Sequence, residues 1–321
     1  MPSLSVIICT HNPREDYFRR TLEALKAQTL ARDEWELLLV DNASEKPLAG
    51  RCDLSWHPRS RHVREEELGI AAARMRGFKE AAADVLVYVD DDNILAPDYL
   101  SQALALSRSH PWVGAFGGCI SAEFETPPED WISCVLPILA VMNVTQEQWT
   151  CSPGTSALMM APVTAGGIIR RKVAAHWAGQ SASDPLRRSI GRKGAVLNNG
   201  EDTDMVLCSC ALGLAVGRFP QLRLTHLIPS RRLKREYILR LVEGTVFSNG
   251  ILKYIWDGQI PGEGEKISGA EKIFRAYKNL RFRLSHWMRP NFYYEHMLAT
   301  QRGMDRAAEF IRADKSKRAA Q

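Results

Sequence analysis

The sequence predicts an α/β protein with a mainly parallel sheet that helices cover on both faces. Three segments, residues 3–9, 35–40 and 85–89, are short and rich in apolar residues, which favours strands. They are largely apolar along their length and do not alternate between apolar and polar residues, as expected for parallel strands buried on both faces. Helical patterns separate them, and this alternation of strand and helix is typical of parallel α/β sheets.

The remaining elements follow in chain order. After the first strand, apolar residues recur three and four positions apart at Phe18, Leu22 and Leu25, which predicts a helix. An alanine-rich helical pattern over 69–83 runs directly into the strand at 85–89. The later predicted elements are a helix over 97–109, a strand over 113–120, an irregular segment with one short helix over 123–149, helices over 202–212 and 234–254, a linker over 257–264, and helices over 270–288 and 292–312.

Composition is that of a globular protein. With 321 residues and 45% hydrophobic content, the chain can bury one large core, or form a catalytic domain with a helical extension. The longest apolar run, residues 135–144, is about half of the ~20 residues that a membrane-spanning helix needs, so we expect no such helix. No basic segment precedes the first apolar stretch, and the seven cysteines are scattered. Both features favour a cytoplasmic protein with reduced thiols.

Charge is distributed unevenly along the chain. The formal net charge is +5, but residues 231–321 hold 19 Lys and Arg against 10 Asp and Glu, a net of +9 that leaves −4 for the first 230 residues. A basic segment could face phosphate head groups, a pyrophosphate-linked acceptor or nucleic acid. A solvated helical surface explains the same charge without any partner.

Polar clusters stand where the three strands end. They are Thr10-His11-Asn12, Asp41-Asn42-Ala43-Ser44 and Asp90-Asp91-Asp92. Ligands bind at the carboxyl ends of strands in open α/β sheets, so we expect these clusters to share one crevice. Three adjacent aspartates repel one another, and either a cation or solvent must relieve that repulsion. Carboxylates select Mg²⁺ or Mn²⁺, which can bridge them to a diphosphate, whereas a solvated acidic turn needs no metal.

In this order, the motifs resemble the nucleotide-binding half of family-2 glycosyltransferases with the GT-A fold. The residues that carry the resemblance are those at 3–12, Leu39 to Ser44, and Val87 to Asp92 with Pro97 and Leu100 following, within a match over roughly 3–230. The resemblance implies a Rossmann-like sheet in which nucleotide-sugar contacts come from Thr10, Asn12, Asp41 and Asn42. It further implies that Asp91 meets the ribose or diphosphate and Asp92 the metal, with Asp90 in the same turn.

Two glycine segments extend the resemblance. Gly69 opens a helix whose Arg74 would turn back toward the diphosphate, because a helix amino terminus and a guanidinium both favour an anion. Family members often carry asparagine shortly after this arginine, where this chain has methionine and arginine. Gly166 and Gly167 resemble the loop before the acceptor side of the pocket, where bare backbone admits a bulky sugar diphosphate. A surface arginine and a simple tight turn are the alternatives.

The acidic motif Gly200-Glu201-Asp202 resembles the place where family members carry their catalytic base. Displacement at an anomeric carbon needs a carboxylate that takes the acceptor's proton, and Asp202 is the first candidate and Glu201 the second. An acidic first turn that stabilises its own helix is the alternative. No paired nucleophile is evident, so we expect inversion.

Histidine and arginine residues follow the acidic motif near the end of a strand-like run over 222–229. The resemblance implies that His226 completes the metal site or meets the diphosphate, and Arg231 and Arg232 could clamp phosphate. A histidine satisfied within the core and ordinary surface arginines are the alternatives.

These features predict a metal-dependent glycosyltransferase. It would use Mn²⁺ or Mg²⁺ and move a sugar from a UDP- or GDP-type nucleotide-diphosphate sugar to a carbohydrate or lipid-linked acceptor, one sugar per encounter. The alternatives are a polyprenyl-phosphate sugar synthase, a nucleotidyltransferase and a non-catalytic sugar-nucleotide-binding protein.

The predicted domains divide at residue 230. Residues 1–230 would form the catalytic domain, with a nucleotide-sugar half over 1–120 and an acceptor half over 121–230. Residues 231–321 would form a basic helical extension that could touch the inner face of a membrane. No nucleic-acid partner is expected.

Overall fold

The computed structural model describes residues 1–194, 196–263 and 292–319, and it confirms the α/β class. The strands are β1 (Leu4–Thr10), β2 (Trp35–Asn42), β3 (Ser60–Glu65), β4 (Val85–Val89), β5 (Asn93–Leu95), β6 (Val113–Phe124), β7 (Gln148–Thr150), β8 (Ile168–Arg170) and β9 (Ala215–Ile228). The α-helices are α1 (Glu15–Lys26), α2 (Ile70–Glu80), α3 (Tyr99–Ser109), α4 (Arg171–Ser183), α5 (Pro185–Ser189), α6 (Glu201–Ala211), α7 (Arg235–Asp257) and α8 (Phe292–Ala319). Within these ranges, 3-10 helices cover Asp130–Leu139, Gly154–Met159 and Ser230–Leu233.

One sheet forms the centre of the described chain. Its strand order is β3-β2-β1-β4-β8-β6-β9-β5, and β7 also pairs with β9. The first four strands are parallel, and their register places Ile8 opposite Leu39 on one side and opposite Val89 on the other. β8 runs antiparallel between β4 and β6, and β5 and β7 run antiparallel to β9. The carboxyl ends of the parallel strands therefore meet at one edge, as the sequence predicts.

The core lies on both faces of the sheet. Leu4, Val6 and Ile8 of β1 pack on the face that α1 covers, while Ile7 and Cys9 pack on the opposite face with α2 and α4. Every residue of β1 is buried. Because both faces are covered, the parallel strands need no polar side, which explains their continuous apolar pattern.

Some elements carry little signal in the sequence. β3 is an edge strand with several charged, partly exposed side chains, and β5 has only three residues. α4 follows β8 without an intervening loop, so no turn residue marks where the helix begins. The single helix expected within 123–149 is confirmed as Asp130–Leu139, and the helix expected over 270–288 lies outside the described residues. In the predicted linker, Ile260 is buried in a cluster with residues of α7 and α8.

The carboxyl-terminal helices α7 and α8 pack against each other. Much of their basic charge is paired within the chain. The ion pairs of the described residues include Arg235 with Glu295, Arg302 and Arg306 with Glu243, Arg312 with Glu263, and Arg318 with Asp184 and Asp314. These pairs account for part of the basic segment without any external partner. None of the helices in the described ranges has the length and apolar character needed to cross a bilayer.

Replacing Gly118 with alanine should destabilise the fold. Gly118 lies at a register shift in β6, where an added Cβ would collide with the backbone carbonyls of Leu222 and Phe219. We expect Gly118→Ala to lower the free energy of unfolding by about 1–3 kcal/mol in urea denaturation. The control Gly179→Ala, on an exposed position of α4 with open space around it, should raise that free energy by roughly 0.5–1 kcal/mol. Equal stability of the two variants would contradict this account of the β6–β9 contact.

Candidate active site

A cavity of about 540 Å³ opens at the carboxyl ends of the parallel strands. Thr10 follows β1, Asn42 ends β2, and the aspartate triplet Asp90–Asp92 follows β4, so three strand ends contribute to one lining. The remaining lining comes from the starts of α2 and α6, the segment before α6, the Asp130–Leu139 helix and one face of α7. This volume lies within the usual range for small-molecule sites.

Strand pairing brings His226 to the aspartate triplet. β5 follows the triplet directly and pairs antiparallel with β9, which places Asn93 opposite His226. Nε2 of His226 lies 3.5 Å from Oδ2 of Asp92, and Nη1 of Arg232 lies 3.2 Å from the same oxygen. His226 and Arg232, which follow the Glu201-Asp202 motif in the sequence, thus both approach Asp92, the most buried carboxylate of the triplet.

The surroundings push the pKa values of the triplet apart. Burial would raise the pKa of Asp92, but contact with His226 and the positive charge of Arg232 hold it below its ordinary value. Burial and the neighbouring charge of Asp92 raise the pKa of Asp91, although the Thr10 hydroxyl donates a hydrogen bond to it. Asp92 is therefore the member that is held ionised.

The geometry of His226 fixes the role of one ring nitrogen. Nδ1 lies 3.0 Å from the Leu139 carbonyl oxygen, which can only accept, so Nδ1 carries a proton. Nε2 faces Asp92 and lies 3.1 Å from Nη1 of Arg232. A backbone contact that fixes the tautomer in this way is common behind metal-binding histidines.

A buried ion pair joins α2 to α6. Nη1 of Arg74 contacts Oε1 of Glu201, and the two side chains are only 6% and 5% exposed. Nη2 of Arg74 also lies 3.8 Å from Asp90. Burial raises the pKa of Glu201 and the Arg74 charge opposes that shift. Glu201 is thus paired with Arg74, whereas Asp202 forms no ion pair with any described residue.

Asp202 is oriented by a turn that contains the two predicted glycines. Its Oδ2 accepts a hydrogen bond of 3.1 Å from the Thr164 hydroxyl. The Gly167 N–H donates to the Thr164 carbonyl, and Gly166 has a φ of +69°, a conformation that glycine adopts without strain. The Tyr99 hydroxyl donates to the Gly166 carbonyl at 2.6 Å. The glycines therefore shape the turn that presents Thr164.

Other predicted nucleotide-binding residues bond to the protein itself. Asp41 is buried, accepts two backbone N–H groups and lies 2.8 Å from Arg64. Asn12, with a φ of 48°, accepts a backbone hydrogen bond from the next strand-end loop. Asn42 lines the cavity, but its side chain accepts the Gly69 N–H and so fixes the start of α2. Among the described residues, the predicted site residues outside the lining are Asn12, Asp41, Gly166, Gly167 and Arg231.

Several lining residues have no assigned role in the sequence analysis. Thr164 and Arg192 stand in irregular segments whose position depends on tertiary contacts. One face of α7 contributes residues four positions apart, namely Tyr237, Leu241, Thr245 and Asn249. That spacing is visible in the sequence, but it equally fits a helix that faces the core. Cys9 also lines the cavity, and because burial raises its pKa to about 12 it is protonated and a poor nucleophile near neutral pH.

The lining suits a divalent cation that is held jointly with a bound diphosphate. Within residues 1–194, 196–263 and 292–319, no three Asp, Glu, His or Cys side chains converge as a complete metal cage. Asp92 and Nε2 of His226 could supply two ligands, and Mg²⁺ is commonly bound by one or two protein groups with phosphates and waters completing the shell. The described lining carries five carboxylates against three arginines, an excess that a divalent cation would balance.

Comparison with known proteins identifies a family match over part of the chain. Residues 5–164 match the family described as Glycosyl transferase family 2. The chain is 34% identical over 157 residues to a validoxylamine A glucosyltransferase of Streptomyces hygroscopicus subsp. limoneus, covering 46% of this chain and 34% of the relative. It is 27% identical over 133 residues to a glucosyl-dolichyl phosphate glucuronosyltransferase of Haloferax volcanii, covering 40% of each. These matches span well under half of the relatives' own length.

Among solved structures, that of residues 1–349 of S. aureus TarS aligns over 100% of this chain and 92% of the other, with a TM-score of 0.48 and 14% identity.

Removing Arg74 should destabilise the protein in a pH-dependent way. Arg74→Met leaves Glu201 buried without its partner, and we expect a loss of about 3–5 kcal/mol in the free energy of unfolding at about pH 8. Burial already raises the pKa of Glu201, and loss of Arg74 raises it further. A carboxyl with a raised pKa binds its proton more tightly in the folded state, so its cost grows as pH rises and shrinks as pH falls.

The deficit of Arg74→Met should therefore be smaller at about pH 5 than at about pH 8. The double variant Arg74→Met/Glu201→Gln should be more stable at the higher pH than the single variant, because it removes the uncompensated charge. The stabilities of the wild type, the single variant and the double variant are compared through their denaturation midpoints at both pH values. A single variant as stable as the wild type at the higher pH would show that this pair is not buried as described.

Proposed function

Because this chain belongs to glycosyl transferase family 2 through residues 5–164, we propose that it moves a sugar from a UDP- or GDP-type nucleotide-diphosphate sugar to an acceptor. The observation that carries the proposal is that Asp90–Asp92, Arg74 and Asp202 converge on one cavity at the carboxyl ends of the parallel strands. An acidic turn that merely caps the next helix would have no need of the histidine and arginine that meet it.

In this proposal the donor occupies the part of the cavity next to β1, β2 and β4. Thr10 and Asp91 would meet the ribose or the diphosphate, and Arg74 keeps a fixed positive charge beside them. Asp92 and His226 would hold Mg²⁺ or Mn²⁺, which when bound supplies a positive charge that stabilises the leaving diphosphate. Asp41 and Asn12 would act by shaping the strand-end loops around the base, since their side chains bond to the protein.

Asp202 is the proposed general base. The acceptor oxygen attacks the anomeric carbon, its proton passes to a carboxylate oxygen of Asp202, and the bond to the diphosphate breaks with its electron pair going to the phosphate oxygen. The Thr164 hydroxyl restricts the orientation of the carboxylate, which favours a near-attack geometry. With Glu201 paired to Arg74, no second carboxylate is placed as a nucleophile in this scheme, so the product would have inverted stereochemistry.

The proposed acceptor is a carbohydrate or a lipid-linked sugar. One relative is named for a glucosyl-dolichyl phosphate acceptor and another for validoxylamine A, so the names of the relatives do not point to a single acceptor. The acceptor would approach along α7 and the Asp130–Leu139 helix, whose lining residues include Tyr237 and Ile138.

A thermal-shift screen tests the donor and the metal together. We expect UDP or GDP, and not dTDP or CMP, to raise the melting temperature with Mn²⁺ and to do so much less with a chelator, since a ligand at about 100 times its Kd stabilises by roughly 2.7 kcal/mol. Asp92→Asn should lose the Mn²⁺-dependent part. The control Asp84→Asn, at the opposite end of β4 with a side chain 96% exposed, should respond like the wild type. A wild type that responds to neither UDP nor GDP would refute the proposed donor class.

Turnover by Asp202→Asn tests the proposed base. We expect kcat to fall by roughly two to four powers of ten, because general-base catalysis usually contributes that much. The response to the nucleotide and Mn²⁺ should be retained, because the substitution leaves the donor side of the cavity intact. Near-native turnover would move the assignment to Glu201 or to another group. Loss of nucleotide binding along with turnover would instead indicate that Asp202 contributes to donor binding.

A further inference from the structure

The segment before α6 closes one side of the cavity with a basic loop, residues 190–194. Arg192 and Gly194 of this loop line the cavity. The Arg192 carbonyl accepts the N–H of Ile70 at 3.1 Å, which ties the loop to the first turn of α2. This contact is a backbone contact, so it fixes the position of residue 192 and leaves its guanidinium unused.

The same segment is also held from the carboxyl-terminal helix α8. Nη2 of Arg306 donates to Oδ1 of Asn198 at 2.7 Å, and the Asn198 side chain donates to the Ser189 carbonyl at 3.1 Å. Arg306 lies over the Phe247 ring at 4.2 Å, which anchors it to α7. The loop that carries Arg192 is therefore attached to α2 on one side and to α8 on the other.

The three arginines of the described lining differ in what they contact. Arg74 is committed to Glu201, and Arg232 to Asp92 and His226. The guanidinium of Arg192 forms no hydrogen bond or ion pair with any described residue, although its charge lies within electrostatic range of Asp90, Asp92 and Glu201. A guanidinium that faces a cavity without a protein partner can bind an incoming anion without first breaking an ion pair.

We propose that Arg192 binds the diphosphate of the nucleotide-sugar donor, an inference that rests on the function proposed above. A guanidinium can donate two parallel hydrogen bonds to phosphate oxygens, a geometry that lysine cannot reproduce. During transfer the anomeric carbon–oxygen bond breaks, the sugar passes to the acceptor oxygen, and the bonding pair stays on the diphosphate. The negative charge beside Arg192 thus increases in the transition state, so Arg192 should contribute to kcat as well as to donor binding.

The test compares Arg192→Gln with Lys193→Gln, a matched control that removes one positive charge from the neighbouring, exposed position of the same loop. Binding of UDP, GDP and inorganic pyrophosphate with Mn²⁺ is measured by calorimetry, and binding of uridine and guanosine serves as a control without phosphate. For Arg192→Gln we expect the diphosphate Kd to rise roughly 10- to 100-fold, as for a lost charge-assisted hydrogen bond, with nucleoside binding unchanged. Lys193→Gln should stay within about twofold of the wild type.

Arg192→Lys should recover only part of the lost affinity, because an ammonium keeps the charge but not the paired donors. Unchanged diphosphate affinity in Arg192→Gln would overturn the assignment. An equal loss of diphosphate affinity in Lys193→Gln would also overturn it, because the effect would then come from the general positive charge of the loop. The melting temperature of ligand-free Arg192→Gln should match the wild type, since the side chain contacts no described partner. A wild type that binds neither UDP, GDP nor pyrophosphate would refute the proposed function itself, a result that differs from a failure at Arg192 alone.

Discussion

The buried ion pair between Arg74 and Glu201 is the constraint on which the cavity depends. Two charges that are only 6% and 5% exposed have lost most of their hydration, and only close mutual contact offsets that loss. The pair fixes the first turn of α6 relative to α2, although these helices belong to distant parts of the chain. Because Asp202 follows Glu201 in the first turn of α6, the same contact sets where its carboxylate stands. Stability and the position of the proposed base thus rest on one interaction, so damage to it would disturb both.

A second constraint is the balance of charge in the lining. Five carboxylates and three arginines share a cavity of about 540 Å³ in the described chain, with three of the acids at the end of β4 and two at the start of α6. Asp92 is kept ionised by His226 and Arg232, whereas Asp91 takes up a proton more readily than an ordinary aspartate. A site of this kind favours a ligand that brings its own cation, as a metal-bound diphosphate does. The proposed donor therefore agrees with the electrostatics independently of the family.

The sequence predicts the parallel half of the fold well because its signals are local. The strands that include Ile8, Leu39 and Val89 are apolar runs that end in polar clusters, and burial on both faces explains the pattern. The predicted convergence of Thr10 and Asp90–Asp92 follows from strand direction alone. The place of His226 does not, because it depends on the pairing of the three-residue strand β5 with β9. The sequence does not predict the position of Arg192 either, because tertiary contacts with Ile70, Asn198 and Arg306 place its loop.

The division of the cavity between the two halves of the chain bears on acceptor choice. The family match ends at residue 164, and it contains the strand ends and the aspartate triplet. Asp202, His226, Arg232 and the lining face of α7 all lie beyond it. In the proposed scheme these later residues serve both substrates, since His226 and Arg192 meet the metal and the donor diphosphate, whereas Asp202 and the lining face of α7 meet the acceptor. A boundary at residue 230 would separate Tyr237 from the cavity that it lines, so we propose that α7 acts together with the catalytic part of the chain.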